Sequence, residues 1–398
     1  MKKQITAGTF FMKELDSPEK RLFPFSVLNE LRESTPVRYD ENRQCWDVFL
    51  YEDVDAILRN HDLFSSERKR TVEHDDILTM DPPRHNHMRN LVSKAFSPKA
   101  MQNQETKIRE LANDLLSQVL DQGHMNMIHD LAAPLPVIII AEMLGVPKED
   151  RLIFKEWSDT VIKGVSGYSQ EEYEAVAAEH ERVNQELTQY FLSMMAKRRQ
   201  EPQADLITSL LHAEIDGEKL TDKEIVDFCI LLLVAGNETT TNLITHGIRV
   251  LTEQPELQST LKQDPALIPS FVEETLRYYS PVLGQARIAK QDAEIRGQQI
   301  RQGDTVTVWL AAANRDPRKF AKPDRFKVDR SPNPHLSFGK GIHFCLGAPL
   351  ARLEARIAFE TILGRMANLR LKEGTNLVIN PAPFLYGVHE YPITFARV

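Results

Sequence analysis

The sequence predicts a mainly α-helical fold with a minor β part, organised as a single domain over residues 1–398. Three observations point there. Helical patterns dominate from Asp81 to Arg277. Strand-like alternation is confined to short stretches near the N-terminus, between Arg287 and Leu310, and near the C-terminus. No internal repeat, low-complexity tract or Gly/Ser linker divides the chain.

Taken in order, Pro36 to Asp40 and Cys45 to Leu50 read as a small hairpin around a polar Glu41-Asn42-Arg43 turn, with Trp46, Val48 and Leu50 alternating. Helix starts are signalled at Asp81-Pro82 and Ser97-Pro98, where a capping side chain precedes a proline of the first turn, and Gly145 followed by Pro147 marks a helix end. Thr221-Asp222-Lys223-Glu224 is a capping box that opens the run Ile225 to Leu251. About thirty helical residues span roughly 45 Å, enough to cross a domain. Ile230 to Ala235 is apolar on all sides, as suits a central helix, yet Gly236-Asn237-Glu238-Thr239-Thr240-Thr241 follows at once. A glycine and three β-branched threonines weaken a helix interior, and threonine hydroxyls can bond carbonyls one turn back, so the helix is expected to open locally there. Turn signals at Arg296-Gly297 and Gln302-Gly303-Asp304, with alternating Val306, Val308 and Leu310, make the Arg287 to Leu310 region strand-rich. Phe384 to Phe395 reads as extended.

The composition is 42% hydrophobic and 27% charged, ordinary for a globular chain able to bury a large core. Net charge is −8 with no basic tract, which argues against nucleic acid as a partner. Cys45, Cys229 and Cys345 are odd in number and far apart, so no disulfide framework is implied and a cytoplasmic location is expected. Met1 to Met12 lacks an apolar stretch long enough for a signal peptide or membrane anchor.

The most informative segment is Phe338-Gly339-Lys340-Gly341-Ile342-His343-Phe344-Cys345-Leu346-Gly347, directly ahead of the helical run Ala348 to Arg356. A thiolate there sits at the positive end of a helix dipole, with the N–H groups of Leu346 and Gly347 expected to bond the sulfur. Glycines let the backbone approach a flat, bulky partner, and Phe338 can cover the sulfur. A buried inert thiol has no use for such flanking glycines, and a zinc site built on Cys345 and His343 lacks the remaining ligands.

The segment resembles the haem-binding signature of the cytochrome P450 family, F-G-x-G-x-H-x-C-x-G, and matches every fixed position. The family's other motifs occur in their usual order from Asp81 to Gly347. The resemblance implies a P450 fold, haem b as cofactor and Cys345 as axial iron ligand, with Phe338 and Gly347 lining the cofactor. It implies a monooxygenase that inserts one atom of O2 into a C–H bond, with a thiolate ligand that favours O–O cleavage. Ala235-Gly236-Asn237-Glu238-Thr239-Thr240 resembles the family's A-G-x-(D/E)-T-T segment. Carried over, Thr239 is the alcohol and Glu238 the acid that relays protons from solvent, while Ala235 and Gly236 leave room over the iron.

His85 and Arg89 are four apart and share a helix face, whereas His87 points elsewhere. Pro82-Pro83-Arg84-His85-Asn86-His87-Met88-Arg89 resembles the family's propionate-binding helix, so His85 and Arg89 take that role, joined by Arg287 and His343. Glu274 and Arg277, three apart, with Arg325 downstream, resemble the Glu-Arg-Arg network that braces the cysteine side of the fold. Val234, Ala235, Val282, Leu283, Phe384 and Leu385 fall in the family's variable substrate-contact segments, together with the stretches 68–77 and 165–169. Those near the iron are largely apolar, which favours a lipid-, terpenoid- or steroid-like substrate of the kind taken by broad-specificity hydroxylases of bacilli.

No flavin or nicotinamide domain is evident, so electrons are expected from a ferredoxin or flavodoxin with an NAD(P)H-dependent reductase. Lys340, Arg352 and Arg356 are candidates for docking the carrier, and a monomer is expected. Two other readings are a peroxide-driven hydroxylase, whose known relatives lack the acid and alcohol pair, and a haem sensor without turnover. The intact Glu238-Thr239 pair counts against both.

Overall fold

The computed structural model describes residues 12–67, 76–93, 96, 101–102, 104–162, 170–215, 217–380, 382 and 384–398. The helix start at Ser97-Pro98 and the contact stretches 68–75 and 165–169 lie outside them. Helices dominate, and among the described residues a five-stranded and a three-stranded sheet flank them, with two separate two-stranded hairpins. The predicted hairpin forms, with Val37–Asp40 antiparallel to Cys45–Val48 in the register Val37 to Val48. Thr305–Val308 joins it in parallel, followed by Gln285–Ala289 and Phe64–Ser65, to make a five-stranded sheet. A second sheet pairs Met366–Leu371 with Pro392–Arg397 and His124–Asn126, all antiparallel. The Arg296-Gly297 turn is left-handed at both residues, which closes the short hairpin of Ala293–Ile295 and Gln298–Ile300.

A 32-residue helix, Asp222–Glu253, crosses the molecule and is called the central helix below. Its capping box is complete. Thr221 Oγ1 accepts from the Glu224 N–H, and the Glu224 carboxylate accepts from the Thr221 N–H. The helix packs on Pro134–Leu144, on Gln170–Gln200 and on the helix Ala348–Arg365 that follows the cysteine loop. By length and composition it could cross a membrane, but 67% of its apolar window is buried inside the protein. Pro134–Leu144 ends at Gly145 in a left-handed turn, as its sequence predicts.

Two expectations need correction. The central helix stays helical through residues 236–241. Each threonine hydroxyl there with a resolved bond finds an acceptor without breaking the helix: Thr239 Oγ1 donates to the Ala235 carbonyl (2.8 Å) and Thr241 Oγ1 to the Ala132 carbonyl of a neighbouring turn (3.0 Å). Packing on all sides outweighs the weak local propensity. Asp81 does not cap the helix Arg84–Ser93. Its carboxylate accepts from the Ser66 N–H (3.0 Å) and from Lys290 Nζ (3.3 Å), tying that helix to the five-stranded sheet.

Candidate active site

Cys345 is partly exposed, whereas Cys45 and Cys229 are buried. Its loop is shaped by backbone geometry. Gly339 and Gly341 have positive φ (70° and 68°), and a Cβ on Gly341 would press into the Leu58 carbonyl. The Cys345 N–H donates to the Phe338 carbonyl (2.9 Å), closing the loop. Burial pushes the Cys345 thiol up from its ordinary range, opposed by the N–H groups of Gly347 and Ala348 and by the positive charges of Arg89 and Arg352. The expected donor pair was Leu346 and Gly347. The groups that point at the sulfur are instead Gly347, the N-cap of the helix Ala348–Arg365, and Ala348, its first residue. A cation at the sulfur would tip this balance to the thiolate. Gly347 has ordinary backbone angles, but a Cβ there would meet no protein atom within 4 Å, so its open side fits a flat group.

Beside this loop the structure gathers His85, Arg89, Arg287 and His343. The His85 and His343 rings lie 4.3 Å apart. Each has a buried Nε2 without a hydrogen-bond partner. Burial lowers the pKa of both, and for His343 the nearby His85, Arg287 and Arg89 add to that, so that it falls to about 3. Arg89 donates to the Phe344 carbonyl (2.7 Å) and Arg287 to the Ala286 carbonyl (2.9 Å). Two orphaned ring nitrogens and two guanidinium groups in one place form a donor set suited to two carboxylates. These residues fit the propionates of haem. His87 lies apart, 3.9 Å from Glu218.

The central helix presents two different faces here. Leu231, Ala235 and Thr239, four residues apart, are partly or fully exposed on a helix that is otherwise largely buried, with Ala235 exposed at its middle. Gly236 faces elsewhere, since a Cβ there would meet the Ile140 side chain at 3.3 Å, so it serves helix packing. Glu238 is 5% exposed and meets no charged group among the described residues. Burial, opposed only by the amides of Asn380 and Asn242, raises its pKa to about 7. One of its oxygens, Oε2, has no partner.

On the pocket side, Val282 bridges Leu385, and the Leu283 N–H donates to the Phe384 carbonyl (2.8 Å). The structure therefore brings these predicted contact residues together. Val234, Val282, Phe384 and Leu385 are all partly exposed. Leu283 is a correction: its N–H is tied to the Phe384 carbonyl and, at 6% exposure, its side chain belongs to the hydrophobic core.

The bracing network is present with a different third member. Glu274 and Arg277 are fully buried and form a bidentate pair (2.8 Å for both bonds). Arg330, not Arg325, is the second arginine on Glu274, at 2.9 and 3.0 Å. Arg325 has an exposed side chain and contributes only its carbonyl, which accepts from Arg277 and Arg330. The sequence holds two Asp-Arg pairs five residues apart, and the chain must pass residue 325 and turn back before an arginine can reach Glu274. Asn333 adds a further bond to Glu274 (3.1 Å). Arg352 and Arg356 are also committed elsewhere: Arg352 holds Glu273 with two bonds (2.7 and 2.9 Å), and Arg356 pairs with Glu105 and Glu360.

A family model for Cytochrome P450 matches residues 21–393. The chain is 49% identical over 393 residues to Cytochrome P450 109 of Bacillus spizizenii, covering 98% of this chain and 96% of that one. The crystal structure of substrate-free CYP109E1 from Bacillus megaterium aligns with a TM-score of 0.90 at 43% identity, covering 94% of this chain and 99% of that chain. The structure of CYP109E1 in complex with testosterone aligns with a TM-score of 0.87 at 42% identity, covering 93% of this chain and 99% of that chain. Nearly the whole chain is matched at these identities, and it belongs to the cytochrome P450 family of haem-binding monooxygenases.

Proposed function

We propose that this monooxygenase hydroxylates steroid-like hydrophobic compounds at a haem b bound through Cys345. One atom of O2 enters a C–H bond and the other leaves as water, with two electrons and two protons supplied. The observation that carries the reading is that three features meet in one fold: a thiol at a helix N-terminus, a donor set for two carboxylates, and an open apolar face on the central helix. When bound, haem supplies the activation of dioxygen.

The protein's part is assigned as follows. The Gly347 and Ala348 N–H groups stabilise the Cys345 sulfur as an anion, and the Phe338 ring packs against Phe344 and Arg352. His85, Arg89, Arg287 and His343 hold the propionates. Thr239, on the open face, presents its hydroxyl next to Ala235. Glu238 keeps its proton up to about neutral pH and passes it toward Thr239. Val234, Ala235, Val282, Phe384 and Leu385 exclude water and orient an apolar substrate. Glu274, Arg277 and Arg330 brace the cysteine side and take no part in the chemistry. Electrons come from a ferredoxin or flavodoxin with an NAD(P)H-dependent reductase, and the three free thiols suit the cytoplasm.

Support for the steroid class comes from the likeness to CYP109E1 in its testosterone complex. Optical titration of the haem protein with testosterone tests it. The expected result is a saturable shift of the Soret band to shorter wavelength as water leaves the iron. No shift with testosterone or other steroids, alongside a saturable shift with long-chain fatty acids, would overturn the steroid assignment.

A further inference from the structure

Further along the same side of the central helix, starting one turn after Ala235, runs a polar stripe, Glu238, Asn242, His246 and Arg249, and all four are buried. The C-terminal segment covers it residue by residue. Asn380 Nδ2 lies 3.5 Å from Glu238 Oε1. A Cβ on Gly387 would collide with the Asn242 side chain, so glycine is needed for the segment to settle there. His246 Nε2 donates to the Tyr386 carbonyl (2.8 Å), and Arg249 donates to the Tyr386 hydroxyl (3.0 Å). The segment is paired with itself, through the Ile379 to Val388 bridge and the bond from the Asn380 N–H to the Gly387 carbonyl (3.0 Å). It is also fixed to the pocket wall, through the Val282 to Leu385 bridge and the bond from the Tyr386 N–H to the Pro281 carbonyl (2.9 Å).

One acceptor and one donor are left over on the stripe. Glu238 Oε2 and Asn242 Nδ2 are both buried without a well-formed hydrogen bond, one helical turn apart and near enough for the Asn242 amide to oppose the rise in the Glu238 pKa. Asn380 therefore holds one oxygen of a carboxyl whose other oxygen is unanchored. A rotation of that carboxyl would exchange the amide of Asn380 for that of Asn242.

We propose that Asn380 is a positioning residue for Glu238, and that the segment carrying it links the pocket wall at Phe384 and Leu385 to the proton relay. This rests on the reading of Glu238 as that relay. Substrate pressing on Phe384 and Leu385 acts on the stretch that runs through Tyr386 to Gly387, whose carbonyl bonds the Asn380 N–H, so that the carboxyl is aligned when the pocket is filled. Asn242 is the alternative resting partner.

The test compares the holoprotein with Asn380→Leu, Glu238→Gln and the double variant. Infrared difference spectra over pH 5 to 9 read the Glu238 carboxyl directly, as the C=O band that Glu238→Gln removes. In Asn380→Leu that band should move to higher frequency, as for a carboxyl that has lost a donor, and persist to higher pH. With testosterone and a surrogate ferredoxin and reductase, Asn380→Leu should lower product per NADPH by about fivefold, the scale of one hydrogen bond. Peroxide should rise while the carbon monoxide spectrum and the testosterone titration stay parental. The double variant should match Glu238→Gln. An unmoved carboxyl band in Asn380→Leu overturns the proposal without any substrate being needed, and so does a double variant whose two losses multiply. If Glu238→Gln keeps parental coupling, the relay reading fails, and the infrared arm still reports whether Asn380 holds the carboxyl.

Discussion

Around Cys345 the deciding contacts are local. The Cys345 N–H closes onto Phe338 within one loop, and the N–H groups of Gly347 and Ala348, the next residues but one and two, face the sulfur. Around Glu238 they span the chain: Asn380 is 142 positions away, and the Tyr386 contacts to His246 and Arg249 are 140 and 137. The cysteine loop is a rigid backbone device that tolerates few residue types. The Glu238 neighbourhood is made of side chains brought together by the fold, one of them at the edge of hydrogen-bond range. The first region is built to hold a cofactor in one geometry. The second leaves a carboxyl with a spare oxygen, as suits the proton relay proposed for it.

The contrast can be broken most severely on the bracing side. Arg330→Ala leaves the wholly buried Glu274 short of a partner and should cost about 3 kcal/mol of stability, read by denaturant unfolding. Arg325→Ala, with its side chain in solvent, should unfold like the parent. The reverse order would return the network to Arg325.

Next in size is the relay. Glu238→Gln should slow oxygen-dependent turnover by about 10²-fold, and Thr239→Ala should still consume oxygen but release its electrons largely as hydrogen peroxide. Product and peroxide per NADPH measure both. Because burial raises the Glu238 pKa to about 7, its proton is present below that pH and lost above it. Product per NADPH in the parent should therefore fall as pH rises through about 7, and Glu238→Gln should show no such step. A parental yield from Thr239→Ala would reduce that threonine to packing and direct attention to Thr240.

The smallest effect belongs to the carboxylate donors. Arg89→Ala removes one of four and should weaken haem retention by about 1–3 kcal/mol, read as faster transfer to apomyoglobin. Equal retention would mean that Arg89 serves only the Phe344 carbonyl.

Much of this was legible in the sequence where the signal was local. The capping box at Thr221, the hairpin at Val37–Asp40 and Cys45–Val48, the Gly145 stop and the glycine-shaped cysteine loop all follow from neighbours in the chain. Helical spacing puts His85 and Arg89 on one face, and the His85 ring meets that of His343 while Arg89 bonds the next residue's carbonyl. What sequence reading missed depended on distance. Arg330 was chosen over Arg325 by a turn in the chain, and Asn242 and Asn380 carry no motif at all. Asn242 could have been noticed as the residue one helical turn after Glu238. The expected opening of the central helix failed because local propensity gave way to packing from neighbours that the sequence does not reveal.

The central claim is that Cys345, and neither of the other cysteines, binds haem iron as a thiolate. The most direct measurement is the carbon monoxide difference spectrum of freshly purified, reduced protein, taken for the parent and for Cys45→Ala, Cys229→Ser and Cys345→Ala. The account predicts the strongly red-shifted Soret band of a thiolate-bound haem in the parent and in the first two variants, and its loss in Cys345→Ala. A spectrum typical of histidine-ligated haem in the folded parent, or survival of the red-shifted band in Cys345→Ala, would contradict it.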